Sequence, residues 1–95
     1  MTLERGAILA AVRDIIRAEL DDERIEVAEG TIIDDIEGWD SVAHVRIIVA
    51  IEARFAVRFE PDEYMDFESV TDVIDGLSKK LAESGDGRAR AALRA

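Results

Sequence analysis

The chain has 95 residues, a formal net charge of −10 from 22 acidic and 12 basic side chains, and no cysteine. One domain with a modest core is the natural reading of this length. The acidic field disfavours nucleic acid and anionic lipid, the 5% aromatic content offers no base-stacking platform, and disulfide or thiolate chemistry is absent.

Apolar residues recur at helical spacing through Leu3, Ala7 and Ala11, or Ile8 and Val12, and on to Ile15 and Ile16, which predicts a first helix ending near Leu20, with Thr2 as a candidate N-cap. The acids Glu19, Asp21, Asp22 and Glu23 crowd the negative pole of that helix, a placement that local electrostatics disfavours. The longest unbroken apolar run, Ala7 to Val12, is far too short for a membrane span, and the opening MTLERGAILAAVRD has no cleavage signature. We therefore expect a cytoplasmic protein without membrane insertion.

Residues 21–40 lack periodicity and contain Gly30 and Gly38, so they read as a long connection anchored by Ile25, Val27, Ile32, Ile33 and Ile36. From Glu19 to Asp40 the chain is dense in carboxylates, with Arg24 the sole base. The acids Asp34, Asp35, Glu37 and Asp40 lack the alternating ligand spacing of a calcium loop, and no metal site is expected from them.

A second helix is predicted over Ser41–Phe55. Ile48, Ile51 and Phe55 mark one face, while Val42, Val49 and Ala53 fall almost opposite. A helix apolar on two sides is either central in a bundle or offers one side to a partner. Val57 and Phe59 then alternate with Arg58 and Glu60, but with no pairing strand elsewhere this segment reads as an extended loop. Pro61 starts a single helical turn through Tyr64 and Phe67. Ser69 and Asp72 form an acidic variant of the capping box ahead of Val70, Val73, Ile74, Leu77 and Leu81, a last helix expected to stop near Glu83. The expected domain is 1–83, with 84–95, rich in small residues and arginine, as a flexible tail.

The segment IEGWDSVAHV carries the chemistry. Asp40 is a good N-cap, and Ser41 then sits in the opening turn, where free backbone N–H groups favour an anion. His44 is the only histidine and lies three residues after Ser41. A hydrolase built from Ser41, His44 and Asp40 on one turn would be shallow, wet and without an oxyanion site, so His44 is expected to be a partly buried structural residue. Trp39 either contacts a partner or folds over the loop to anchor the helix entrance.

Over residues 34–63, DDIEGWDSVAHVRIIVAIEARFAVRFEPDE, the chain resembles the acyl carrier proteins of the phosphopantetheine-binding family. Gly38, Trp39, Asp40, Ser41 and Val42 match its Gly-Trp-Asp-Ser-Leu signature, with Val42 replacing the leucine, and AIEARF resembles the ending of the same helix. The resemblance implies an all-α, small antiparallel four-helix bundle: three main helices, one short helix and a long first loop. It implies that Ser41 bears a covalent 4′-phosphopantetheine arm from coenzyme A, whose thiol holds acyl or aminoacyl groups. Asp40 would position the transferase metal and the incoming cofactor. The implied partners are a phosphopantetheinyl transferase, a loading ligase or transferase, and a downstream synthase, met by a monomeric carrier that is not itself an enzyme. In related carriers a slot between the second helix and the short helix takes up the acyl chain.

The partner surface departs from the family pattern. Along the outward side of the second helix, where acids are usual, the chain shows Val42, Arg46, Val49 and Ala53. One basic residue thus stands where acids are expected, and the acidic docking charge is expected from Asp34, Asp35 and Glu37 in the loop, with Trp39 beside them. That mix favours a dedicated carrier in a biosynthetic cluster or unusual lipid pathway over a housekeeping one. The alternative is a carrier-like interaction domain that is never modified. The expected core is Ile8, Val12, Ile15, Ile48, Ile51, Phe55, Val73, Ile74, Leu77 and Leu81.

Overall fold

A computed structural model describes residues 4–94, with side chains described for 4–83. It contains four α-helices: α1 (Arg5–Glu19), α2 (Ser41–Phe55), α3 (Pro61–Met65) and α4 (Val70–Arg94), with one 3-10 turn at Ile33–Asp35. Among the described residues the sole β pairing is an isolated bridge between Ile32 and Ser69. The all-α architecture is the one expected.

Helix α1 starts after Glu4, which is extended and makes no side-chain cap; Thr2 and Leu3 lie outside the described residues. Its core line is Ile8, Val12 and Ile16, all fully buried. The expected Ile15 is only partly buried and packs at the edge, while Ile16, on the other side of the Val12 line, takes the core place. The unfavourable acids at its end are offset locally. Glu19 meets Arg46 at 3.3 Å, and the Asp22 carboxylate accepts the Arg24 backbone N–H at 2.9 Å. That backbone bond and the Arg24 side chain hold the Asp22 pKa below its usual value.

The long connection is pinned at both ends. Arg17 donates to the Ile25 carbonyl at 2.8 Å, and Arg5 bridges Glu29 (2.6 Å) and Asp75 (2.8 Å). Thr71 also donates to the Glu29 carbonyl. Ile33, Ile36 and Trp39 are buried and drive the second half of the loop into the core, whereas Ile32 is exposed. The bridge hydrogen bonds, Ile33 N–H to Glu68 (2.9 Å) and Val70 N–H to Thr31 (2.8 Å), tie this half to the start of α4.

Helix α2 has the expected bounds and buries Ala43, Ile47, Ile48, Ile51 and Phe55. It packs against α1, which also packs against α4. It ends at Ala56 in the left-handed region (φ 55°, ψ 46°). This bend turns the chain so that Val57 and Phe59 enter the core as an extended segment, with Glu52 accepting the Phe59 N–H at 2.8 Å. Helix α3 stops at Met65, short of the expected Phe67, which lies in the loop edge-on to Phe59 with centroids 5.4 Å apart.

Helix α4 opens with the predicted box: Ser69 Oγ accepts the Asp72 N–H, and the Asp72 carboxylate accepts the Ser69 N–H, each at 3.2 Å. Val70, Val73, Ile74, Leu77 and Leu81 form its buried stripe. Gly76 lets α4 approach the aromatic pair, since a Cβ there would lie 3.1 Å from Phe67 Cζ. The helix continues to Arg94, which corrects the expected stop near Glu83. The alanines, leucine and arginines of RARAALR are strong helix formers, and they outweigh the interruption at Gly85 and Gly87. Among the described residues no helix is long and apolar enough to cross a membrane.

Candidate functional site

The loop reaches α2 through Gly38, whose φ of 91° suits a residue without a Cβ. Trp39 then turns inward, and Asp40 takes the extended conformation of an N-cap. Its Oδ1 accepts the Ala43 N–H at 2.8 Å, while its carbonyl accepts the His44 N–H at 2.9 Å. Ser41 is the first helical residue and is exposed. Among the described residues no group is hydrogen-bonded to its hydroxyl or to the backbone N–H groups of Ser41 and Val42. That leaves an accessible oxygen at the positive end of a helix dipole.

A cavity of about 400 Å³ opens beside Ser41, between α2 and the segment after α3, with Asp34, His44, Val45, Met65 and Phe67 in its wall. His44 crosses its inner side. Its Nδ1 accepts the Trp39 indole N–H at 2.9 Å, and its Nε2 lies 2.6 Å from the Tyr64 carbonyl. The indole is only a donor and the carbonyl only an acceptor, so the imidazole is neutral with its proton on Nε2. Both ring nitrogens are engaged and Asp40 caps Ala43 instead, so neither a general base nor its orienting acid faces Ser41. Trp39 is 9% exposed, and its indole N–H on His44 anchors the helix entrance.

Along the outward side of α2, Val42 is 67% and Val49 is 56% exposed. Val45 and, across the cavity, Met65 extend this apolar strip; neither was singled out from the sequence, although Val42, Val45 and Val49 share helical spacing. Arg46 lies at its edge, exposed and paired with Glu19. Asp34, Asp35 and Glu37 are exposed on the loop before the helix. Among the described residues no group of three or more His, Asp or Glu is clustered as metal ligands would be.

The family described as "Phosphopantetheine attachment site" matches residues 10–77. The chain belongs to this family of acyl carrier proteins. It is 31% identical over 88 residues to the acyl carrier protein MbtL of Mycobacterium sp. (strain MCS), covering 92% of this chain and 98% of that one. It is 36% identical over 85 residues to acyl carrier protein 3 of Ralstonia nicotianae (strain ATCC BAA-1114 / GMI1000), covering 87% and 95%. The solution structure of the holo acyl carrier protein from Geobacter metallireducens superposes with a TM-score of 0.75 at 33% identity, over 82% of this chain and 90% of that one. The fold is thus the small helical bundle of acyl carriers.

As a member, the carrier holds acyl or aminoacyl groups through 4′-phosphopantetheine and is not itself a catalyst. When bound, that group supplies the thiol that a chain without cysteine lacks. The exposed, unpartnered Ser41 hydroxyl beside free N–H groups fits a phosphodiester linkage. Membership is consistent with three general partner classes: a phosphopantetheinyl transferase, loading enzymes and synthases.

Proposed function

We propose that Ser41 is the residue through which this carrier holds its cargo. The observation that carries the reading is the exposed Ser41 hydroxyl at the opening turn of α2, with no partner of its own. Asp40 fixes that turn through its cap and, one residue before the hydroxyl, stands where a transferase would present its metal and coenzyme A. In the transfer the Ser41 oxygen bonds to phosphorus, adenosine bisphosphate leaves and the hydroxyl proton is lost.

The docking surface in this reading is the Val42 and Val49 strip with Arg46 at its edge, and the acids Asp34, Asp35 and Glu37 rim the entrance. An apolar strip with a basic residue on one side and acids on the other selects partners of matching pattern. The carrier accordingly serves a dedicated loading ligase or transferase and one downstream synthase, as a cytoplasmic monomer whose functional domain is 1–83.

Incubation of the apo-protein with coenzyme A, Mg²⁺ and a broad-specificity transferase is expected to add one phosphopantetheine by intact mass. Ser41→Ala is expected to abolish the addition. Modification that survives in Ser41→Ala refutes the assignment.

A further inference from the structure

We infer that His44 is a specificity-determining residue for the cargo: by bridging α2 to the Tyr64 carbonyl it closes the inner side of the cavity, so the carrier holds short acyl or aminoacyl groups and leaves long alkyl chains exposed. The inference rests on attachment at Ser41.

The cavity beside Ser41 is an open bay of about 400 Å³, near the lower end of small-molecule sites. A chain folding back from Ser41 enters it at once, but passage farther between α2 and α3 meets His44. Its Nε2 lies 2.6 Å from the Tyr64 carbonyl, and its Nδ1 takes the indole N–H of the buried Trp39. Parting α2 from α3 leaves that carbonyl and the Nε2 proton of His44 to be satisfied anew, and a hydrogen bond left unmade in a half-buried site is costly.

The floor is closed as well. Phe67 stands edge-on to Phe59, and Gly76 lies so close behind that a Cβ there would sit 3.3 Å from Phe59 Cε1. Asp34, Asp40 and Ser41 add polar groups to a wall otherwise formed by Ile33, Trp39, Val45, Met65 and Phe67. A two- to four-carbon or amino-bearing group loses little by staying in such a bay. A long chain gains stability only in proportion to the methylenes it buries, and here His44 on the Tyr64 carbonyl stops it at the bay.

The test loads the protein through the transferase with butyryl- and dodecanoyl-coenzyme A. Intact mass, with Ser41→Ala as the control, establishes loading at Ser41 separately from the length effect. Cleavage of each thioester by hydroxylamine is then followed. The expected result is that the two rates agree within about twofold in the native chain. In His44→Leu, dodecanoyl cleavage slows about tenfold, the weight of about one buried hydrogen bond, while butyryl cleavage is unchanged. His44→Gln, which keeps a donor and an acceptor, behaves as the native chain.

A native protein that already shields dodecanoyl about tenfold overturns the inference, as does a folded His44→Leu that shields neither group or both alike. Circular dichroism checks that the variant folds, and the native comparison decides alone if it does not. Failure to load at all refutes the Ser41 assignment instead.

Discussion

Helix α2 buries Ala43, Ile47, Ile48, Ile51 and Phe55, whereas α3, on the far side of the cavity, buries no residue. The first is held by close-packed apolar side chains shared with α1. The second is held by the partly buried Tyr64, by Lys80 to Glu63 at 3.0 Å and by His44 to the Tyr64 carbonyl, with the Glu60 N–H to Glu63 bond at 2.7 Å capping its own first turn. Apolar packing resists displacement in every direction, while the partly exposed Lys80–Glu63 ion pair releases at low cost. The site thus has one wall fixed with the core and one wall whose place against α2 depends on the part-buried His44 bond to Tyr64.

Variants on the two walls should differ in size and reach. Ile51→Ala, at a fully buried position, is expected to cost about 2–5 kcal/mol in urea denaturation and to weaken α1, α2 and α4 together. A cost below about 1 kcal/mol would erase the contrast between the walls. Next in size is Asp40. Asp40→Ala should cost about 1 kcal/mol through loss of the cap, and Asp40→Asn should cost little, since asparagine caps equally well. Under the proposed role of Asp40, Asp40→Asn still accepts phosphopantetheine more slowly than the native chain. Equal transferase rates would reduce Asp40 to a cap alone.

The smallest effects belong to α3. Lys80→Met should raise amide exchange in 61–65 while leaving the urea midpoint almost unchanged; a global loss would show α3 to be part of the core unit. The Glu63 carboxyl is held below its usual 4.5 by the Glu60 N–H and then by Lys80. Its contribution is therefore present above that usual value and is lost as the pH falls through the lowered one. Amide exchange in α3 is expected to rise selectively on that descent, and Glu63→Gln should remove the pH dependence.

Much of this arrangement was legible in the residues. Asp40 followed by a clean run to Phe55 gave α2 its bounds, because a strong cap and a two-sided apolar pattern agree. Ser69 and Asp72 did the same for the start of α4. The misplacements have physical causes. Ile15 and Ile16 both flank the Val12 line, and only packing against α2 and α4 selects between them. The end of α4 turned on whether alanine and arginine outweigh Gly85 and Gly87, which propensity alone leaves close. The Trp39–His44–Tyr64 chain was the least legible part. It joins a loop indole, a helical imidazole and a backbone carbonyl twenty residues beyond the imidazole, and main-chain acceptors leave no mark in sequence.

Ala56 sits in a left-handed conformation that alanine occupies with strain and glycine does not. The bend there is thus bought with local stability, and it meets the core only because Val57 and Phe59 follow it inward. This makes position 56 a reserve for engineering: glycine would relieve the backbone while touching neither the cap at Asp40 nor the cavity. A sturdier scaffold is therefore within reach at a point remote from everything the cargo and its enzymes meet.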